Sequence, residues 1–246
     1  MAAKTQSVFL TQHAQNALMD YSKQEQVLGR LPQKRAAVVG AGGLGNFVSL
    51  ELALSGLDLA IFDFDVVEEK NLHRTPLFSA SDIGSPKAEA AARKLREANP
   101  EISVAFRNSQ PARDDLAAAD IVIDCTDNFE SKVSLNRLCR ELGKPLVAAG
   151  ISGFDGWVFA THGRPCLECA FASPRSQACD EVGAVPAFVA TIASVQAAIA
   201  TNWAAGRPLP LGTLFSFNAR LPAFEPVKVA ERPGCACLMA ERAKSF

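Results

Sequence analysis

The chain has 246 residues, of which 48% are hydrophobic and 21% charged, a composition that supplies a substantial core and excludes a disordered polymer. This length suits one large α/β domain, or a domain with an appendage. The formal net charge is −1, which leaves no electrostatic footprint for nucleic acid. The opening stretch MAAKTQSVFLTQHAQNALMDYSKQ lacks the basic start and apolar run of a signal peptide, and seven cysteines is an odd number for a disulfide framework. Both features fit a reducing compartment, so a cytoplasmic location is expected.

Residues 1–30 read as a polar helical arm, and residues 31–246 as one domain. Its first half, 31–151, has the rhythm of short apolar strands alternating with amphipathic helices. A strand over 35–40 runs into Gly40, Gly42, Gly43 and Gly45, which carry a GxGxxG spacing. Glycines there let the backbone approach a phosphate, and the following helix N-terminus adds about half a positive charge. The bland reading is a tight strand-to-helix turn with nothing bound. The spacing alone does not separate NAD from ATP, and the absence of Gly-Lys-Ser/Thr disfavours a P-loop. The helix ends at Gly56, and a strand over 58–65 follows.

Asp63 falls 18 residues after Gly45, where a carboxylate can accept from ribose hydroxyls. The segment DFDVVEEKNLHR then supplies Asp65, Asn71 and Arg74, the last two three apart and facing one side of a short turn. Ser85 is expected to cap a helix with Pro86 at its first position and Lys87 just inside; Asn99-Pro100 ends it. Arg74 or Lys87 alone reads as a solvated surface charge. Aimed together at a nucleotide, they suit a triphosphate whose charge must be neutralised during displacement. Strands follow over 102–106 and 120–125. DCTDN, 124–128, sits at the C-terminal end of the latter, where ligands bind in such sheets. Asp127 could hold Mg²⁺ against phosphate oxygens; Asp127-Asn128 could equally be a turn or helix cap. A helix over 129–142 stops at Gly143, and a strand over 145–151 completes the half.

The expected fold is therefore α/β, a Rossmann-like, mostly parallel sheet with helices on both faces. Residues 152–246 read as an extension of that sheet by antiparallel strands, near 156–161, 213–219 and 225–230. The 25 residues Val182 to Gly206 carry no charge and are long enough to span a bilayer. They are rich in alanine, contain Gln196 and Asn202, and have Pro186 near the start of a helix over 186–205; a buried core or subunit-interface helix is the better reading. Cys166-x-x-Cys169 and Cys235-x-Cys237 form two close pairs, whose four thiolates can hold Zn²⁺ tetrahedrally. The alternative is two pairs of reduced surface thiols. Cys179 stands apart, Cys125 and Cys139 read as packing residues, and His13, His73 and His162 form no spaced cluster.

VVGAGGLG, DFDVVEEKNLHR, DIGSPKAEAA, DCTDNF and the paired cysteines, in this order, resemble the ThiF/MoeB/HesA adenylyltransferases, relatives of ubiquitin-activating enzymes, over about residues 20–240. The resemblance implies ATP- and Mg²⁺-dependent adenylation of the C-terminal Gly-Gly carboxylate of a small ubiquitin-like sulfur-carrier protein, with release of pyrophosphate. It also implies a homodimer, with the carrier and zinc sites in 152–246. By position, Gly42 would lie near the phosphates, Asp63 would bind ribose, and Asn71, Arg74 and Lys87 would contact the triphosphate. Asp127 would coordinate Mg²⁺ with Asn128 beside the nucleotide, and Cys179 falls where some members place a cysteine that bonds to the carrier. The chain departs from the pattern at Lys23 in DYSKQ, where the family has an arginine for the partner subunit's site. It departs again at Thr75, in the uncharged QAAIATN, and in the tight Cys-x-Cys. The rival readings are an NAD-dependent oxidoreductase, a zinc-bearing interaction protein, a nucleotide-binding member without adenylation, and adenylation of a small molecule, peptide or tRNA base.

Overall fold

The computed structural model describes residues 19–171 and 183–238. The polar arm enters it as a single short helix, α1 (Ser22–Leu28). Next come β1 (Arg35–Val39), α2 (Gly43–Leu54) and β2 (Asp58–Phe62). Two 3₁₀ turns, Glu69–Arg74 and Ala80–Asp82, lead to α3 (Lys87–Ala98), β3 (Val104–Arg107), α4 (Arg113–Ala117), β4 (Ile121–Asp124), α5 (Phe129–Leu142) and β5 (Leu146–Ser152). The remainder is β6 (Asp155–Thr161), α6 (Leu167–Ala170), a long α7 (Pro186–Ala204), β7 (Thr213–Asn218) and β8 (Ala223–Lys228).

All eight strands form one sheet in the order β3-β2-β1-β4-β5-β6-β7-β8. The first five are parallel to their neighbours, and β6, β7 and β8 add antiparallel. The expected mixed α/β sheet with an antiparallel extension is thus present. Each central strand is apolar along its whole length because both sheet faces are covered. On β1, Ala36 and Val38 point into a core shared with α2, α3 and α7. Ala37 and Val39 point to the opposite core, beneath α4, α5 and α6. The two-residue period of a strand divides the apolar run between these layers. The chain leaves β1 on one side towards β2 and returns on the other as β4. That reversal of strand order opens a crevice at the C-terminal strand ends.

Several boundaries differ from the sequence reading, the third strand among them, at 104–107 instead of 102–106. The second strand stops at Phe62 rather than residue 65, because Asp63 turns out of the ladder to accept local backbone donors. Ser85 does not cap α3: Pro86 occupies the cap position, and no side chain caps the helix. The last strand lies at 223–228, ahead of the expected 225–230. By contrast, α5 follows its signals, with the Asn128 side chain accepting from the Ser131 N–H at 2.8 Å and Gly143 left-handed at φ 62°.

The helix α7 passes a length and apolarity test for a membrane span, with mean hydropathy 1.3. In the structure it packs against α2, β5 and β6. Val189, Ile192, Ala193, Gln196, Ala197, Ala200 and Ala204 form its buried face. Small side chains let it lie close to the sheet, in agreement with a core helix.

Candidate active site

The crevice widens into a cavity of about 880 Å³. Its floor begins at the glycine loop. Gly40 has φ 95°, and a Cβ on it would lie 2.7 Å from the Cys125 carbonyl oxygen, so only glycine fits. Gly42 faces open space and begins α2 without a side-chain cap, which leaves the first helical turn available to an anion. Gly45 has a different role. A Cβ there would overlap the Gly40 carbonyl, so its place is the close packing of helix on strand, and it does not line the cavity.

Asn46 fixes the loop from below and was not singled out in the sequence. Fully buried, it donates through Nδ2 to the Ala41 carbonyl at 2.7 Å and the Gly42 carbonyl at 3.1 Å, and its Oδ1 accepts from the Leu77 N–H at 3.0 Å. Its one visible signal is an amide within the apolar helix GLGNFVSLELAL.

Beyond the loop, Asp63 accepts from the Ala41 N–H at 2.6 Å through Oδ2 and from the Asp65 N–H at 2.8 Å through Oδ1. Burial raises its carboxyl above the ordinary value, against the pull of those two donors and of the Lys87 charge. Lys87 is buried to 7% exposure, and its Nζ meets Asp65 Oδ2 at 2.9 Å. The 3₁₀ turn brings Asn71 and Arg74 together as the three-residue spacing predicts: Arg74 donates to Asn71 Oδ1 at 2.9 Å. Asp127 is exposed after β4, with the Asn128 amide 3.4 Å from its Oδ1. Gly40, Gly42, Gly43, Asp63, Asp65 and Asn71 border this cavity. So do Arg74, Lys87, Asp127 and Asn128, which means that every residue read as a nucleotide contact except Gly45 meets in one place.

The opposite wall escaped the sequence reading. Asp124, fully buried at the end of β4, accepts at Oδ1 from the Thr126 N–H (2.9 Å), the Thr126 hydroxyl (2.7 Å) and Lys132 Nζ (3.3 Å). Lys132, itself 4% exposed, also donates to the Ala149 carbonyl at 2.6 Å and lines the cavity. Its ammonium lies 5.6 Å from the Trp157 ring centre. Trp157 packs on Phe171 at 4.7 Å between centroids, and Phe171 meets Phe129 edge-on at 5.8 Å. These residues come from α5, β6 and the end of α6, separated in sequence by tens of residues, so no local spacing marks them.

The two cysteine pairs meet. Cys166 and Cys235 sulfurs are 3.6 Å apart, Cys169 and Cys237 3.5 Å, and Cys166 and Cys169 3.8 Å. All four lie within 4.8 Å of one another, and the Arg232 N–H donates to Cys169 Sγ at 3.4 Å. A tetrahedron with Zn–S bonds of about 2.3 Å has edges near 3.8 Å, so the donor set fits that ion. The Cys-x-Cys spacing therefore does not hold the thiols apart. Among the described residues this is the one cluster of potential ligands able to surround a metal, and His73 and His162 take no part. Cys125 and Cys139 are buried as packing residues, and burial pushes the Cys139 thiol up to about 12. Cys179 lies outside the described residues.

An anion-ready glycine loop, a ribose-type carboxylate, two cations and a solvated acid at the reversal point of a parallel sheet define a nucleotide-binding α/β domain. The chain belongs to the ThiF family, which it matches over residues 13–238. Among similar proteins, the SAMP-activating enzyme E1 of Haloferax volcanii is 34% identical over 218 residues, covering 84% of this chain and 81% of its own length. The sulfur carrier protein adenylyltransferase of Thermus thermophilus is 34% identical over 223 residues, covering 84% of this chain and 82% of its own length. The molybdopterin-synthase adenylyltransferase of Escherichia coli is 33% identical over 216 residues, covering 83% of this chain and 87% of its own length. The fold also matches a crystal structure of E. coli MccB with succinimide, with a TM-score of 0.75 at 24% identity over 88% of this chain and 73% of MccB. The first three are named as an activating enzyme and two adenylyltransferases.

Proposed function

We propose that this protein is an ATP- and Mg²⁺-dependent adenylyltransferase acting on the C-terminal Gly-Gly carboxylate of a small ubiquitin-like sulfur-carrier protein. The observation that carries this reading is the convergence of Lys87, Arg74 and Asp127 on the cavity that holds the glycine loop. A dehydrogenase has no use for two cations and a solvated acid at that place. The named relatives support the carrier as substrate.

The chemistry needs no general base. A carboxylate is already ionised at neutral pH and attacks the α-phosphorus directly. The new bond joins the acyl oxygen to that phosphorus, the bond to the bridging oxygen breaks, and pyrophosphate leaves. The products are acyl-adenylate and pyrophosphate. The protein contributes position and charge. Loop amides and the α2 N-terminus cradle phosphate oxygens, and Asp63 accepts from the ribose. Arg74 and Lys87 neutralise the leaving group; Lys87 exchanges its partner Asp65 for phosphate. Asp127 would hold Mg²⁺, which supplies further charge neutralisation.

The four cysteines would hold one structural Zn²⁺, supported by their tetrahedral spacing. The same reading includes a homodimer and a cytoplasmic setting, the latter supported by the odd number of cysteines. Carrier-dependent exchange of labelled pyrophosphate into ATP tests the proposal. Exchange is expected with a Gly-Gly carrier encoded beside this protein's gene and is expected to fall on the order of 10²–10³-fold in Lys87→Ala. Absence of exchange with every native Gly-Gly carrier would sink it.

A further inference from the structure

The cysteine cluster and the cavity are joined by a single turn of chain. Cys166 caps α6, and its carbonyl accepts from the Cys169 N–H at 2.9 Å and the Ala170 N–H at 3.3 Å. The Phe171 N–H then donates to the Leu167 carbonyl at 3.0 Å. Two thiols and the Phe171 backbone therefore belong to one hydrogen-bonded unit. That unit is also fastened to α5 from outside. Asn136 Oδ1 accepts from the Leu167 N–H at 3.3 Å, and Arg137 grips Glu168 with two bonds of 2.7 and 3.2 Å.

The Phe171 ring leaves this unit and enters the cavity wall, against Trp157 and Phe129. Trp157 lies flat on Gly150: a Cβ there would fall 2.6 Å from its indole nitrogen. The indole is thus held between a bare strand and Phe171, with Lys132 Nζ 5.6 Å from its ring centre. Gly150 and Trp157 lie on β5 and β6, and Phe129 and Lys132 on α5. The glycine loop, Asp63 and Lys87 are positioned by β1, α2, β2 and α3.

We propose that the metal held by the four cysteines positions the acyl side of the cavity through Phe171, leaving the glycine loop, Asp63 and Lys87 untouched. Phe171 is then a positioning residue: it sets the indole of Trp157, and with it the slot that receives the carrier's terminal carboxylate. This rests on the adenylation reading for the identity of the acyl substrate, but not for the coupling itself. Loss of the metal leaves the Cys166–Cys169 turn held to α5 by Asn136 and Arg137 alone, so the Phe171 ring loses part of its anchor and Trp157 part of its cover.

The chain has two tryptophans, so in a Trp203→Phe background Trp157 reports alone. The full chain is stripped with a zinc chelator, and metal content, far-UV circular dichroism, Trp157 emission and affinity for a non-hydrolysable ATP analogue are measured. Stripping is expected to move the emission to longer wavelength while nucleotide affinity stays within about twofold, and the KM for the carrier rises on the order of tenfold with little change in kcat. Phe171→Ala, with its metal retained, is expected to give the same split, and Phe171→Tyr to restore it. If the stripped chain loses its dichroism, Phe171→Ala decides alone. Unchanged Trp157 emission in Phe171→Ala, or nucleotide affinity and carrier KM worsening together, overturns the proposal. Absent exchange in the wild type counts against adenylation, and the emission and nucleotide arms still decide the coupling.

Discussion

Lys132 and Asp124 show what the residue scale adds. Both are almost fully buried, and their 3.3 Å contact sits in the cavity wall opposite the glycine loop. Lys132→Met leaves the Asp124 charge buried without its cation, and a loss of about 3–5 kcal/mol is expected in urea unfolding. Asp124→Asn with Lys132→Met removes both charges and is expected to recover most of that loss; a double variant as weak as the single would refute the pairing. Asp63 gives a pH dependence of definite sign. Its carboxyl is raised above 3.8, chiefly by burial. The stability it contributes is therefore present below that value and lost as pH rises through its folded value. Comparing wild type with Asp63→Asn without nucleotide, the balance is expected to shift towards the variant as pH climbs from about 3.8 to neutrality. A flat difference in melts across that range would contradict it. Asp63, Asn71, Arg74, Lys87 and Asp127 could be read in the sequence because each follows a strand end or starts a turn at a fixed offset. Asn46 and Lys132 could not, since one buried polar residue in a helical stretch looks like any other until its partners are known.

At the scale of elements, α7 is the instructive case. Its composition admits three homes: membrane, core or subunit interface. Gln196 selects the core, since its Nε2 donates to the carbonyls of Asp124 at 2.9 Å and Val147 at 2.8 Å, closing off the ends of two strands. Gln196→Leu keeps the volume and removes both bonds, so a loss of about 1–3 kcal/mol in unfolding free energy is expected. A thermal midpoint equal to wild type would show that the carbonyls need no such partner. The misplaced cap at Ser85 has a related cause. A serine before proline satisfies the usual pattern, but the Lys87 N–H is taken by the Asp65 carbonyl at 2.9 Å, so the turn is fastened across the chain instead of by a local side chain.

The whole molecule divides into a half that local sequence describes and a half that it does not. The glycine turn and the cations lie at or just after β1 and β2 and at the start of α3, where local patterns mark them even though the strands are crossed over in the order β3-β2-β1-β4. The aromatic wall is assembled from Phe129, Trp157 and Phe171, whose proximity is decided by how β6 folds back on β5. Ligand linkage spans both halves. Mg·ATP at about 100 times its dissociation constant is expected to stabilise the chain by about 2.7 kcal/mol against unfolding. The Lys87→Ala variant is expected to lose most of that gain in the same melt, and an undiminished gain would place the triphosphate elsewhere.

The sheet changes direction between β5 and β6, and the cavity reaches from the glycine loop across the end of β4 to that seam. Fuel is handled on one bank and cargo on the other, and the two meet at the start of α5, where Asp127 and Asn128 run into Phe129 and Lys132. A lineage can therefore exchange the hairpin and short helix that face the cargo while the fuel-handling bank stays as it is. Transplanting residues 153–171 from a relative with a different protein partner is expected to carry that relative's preference along with it.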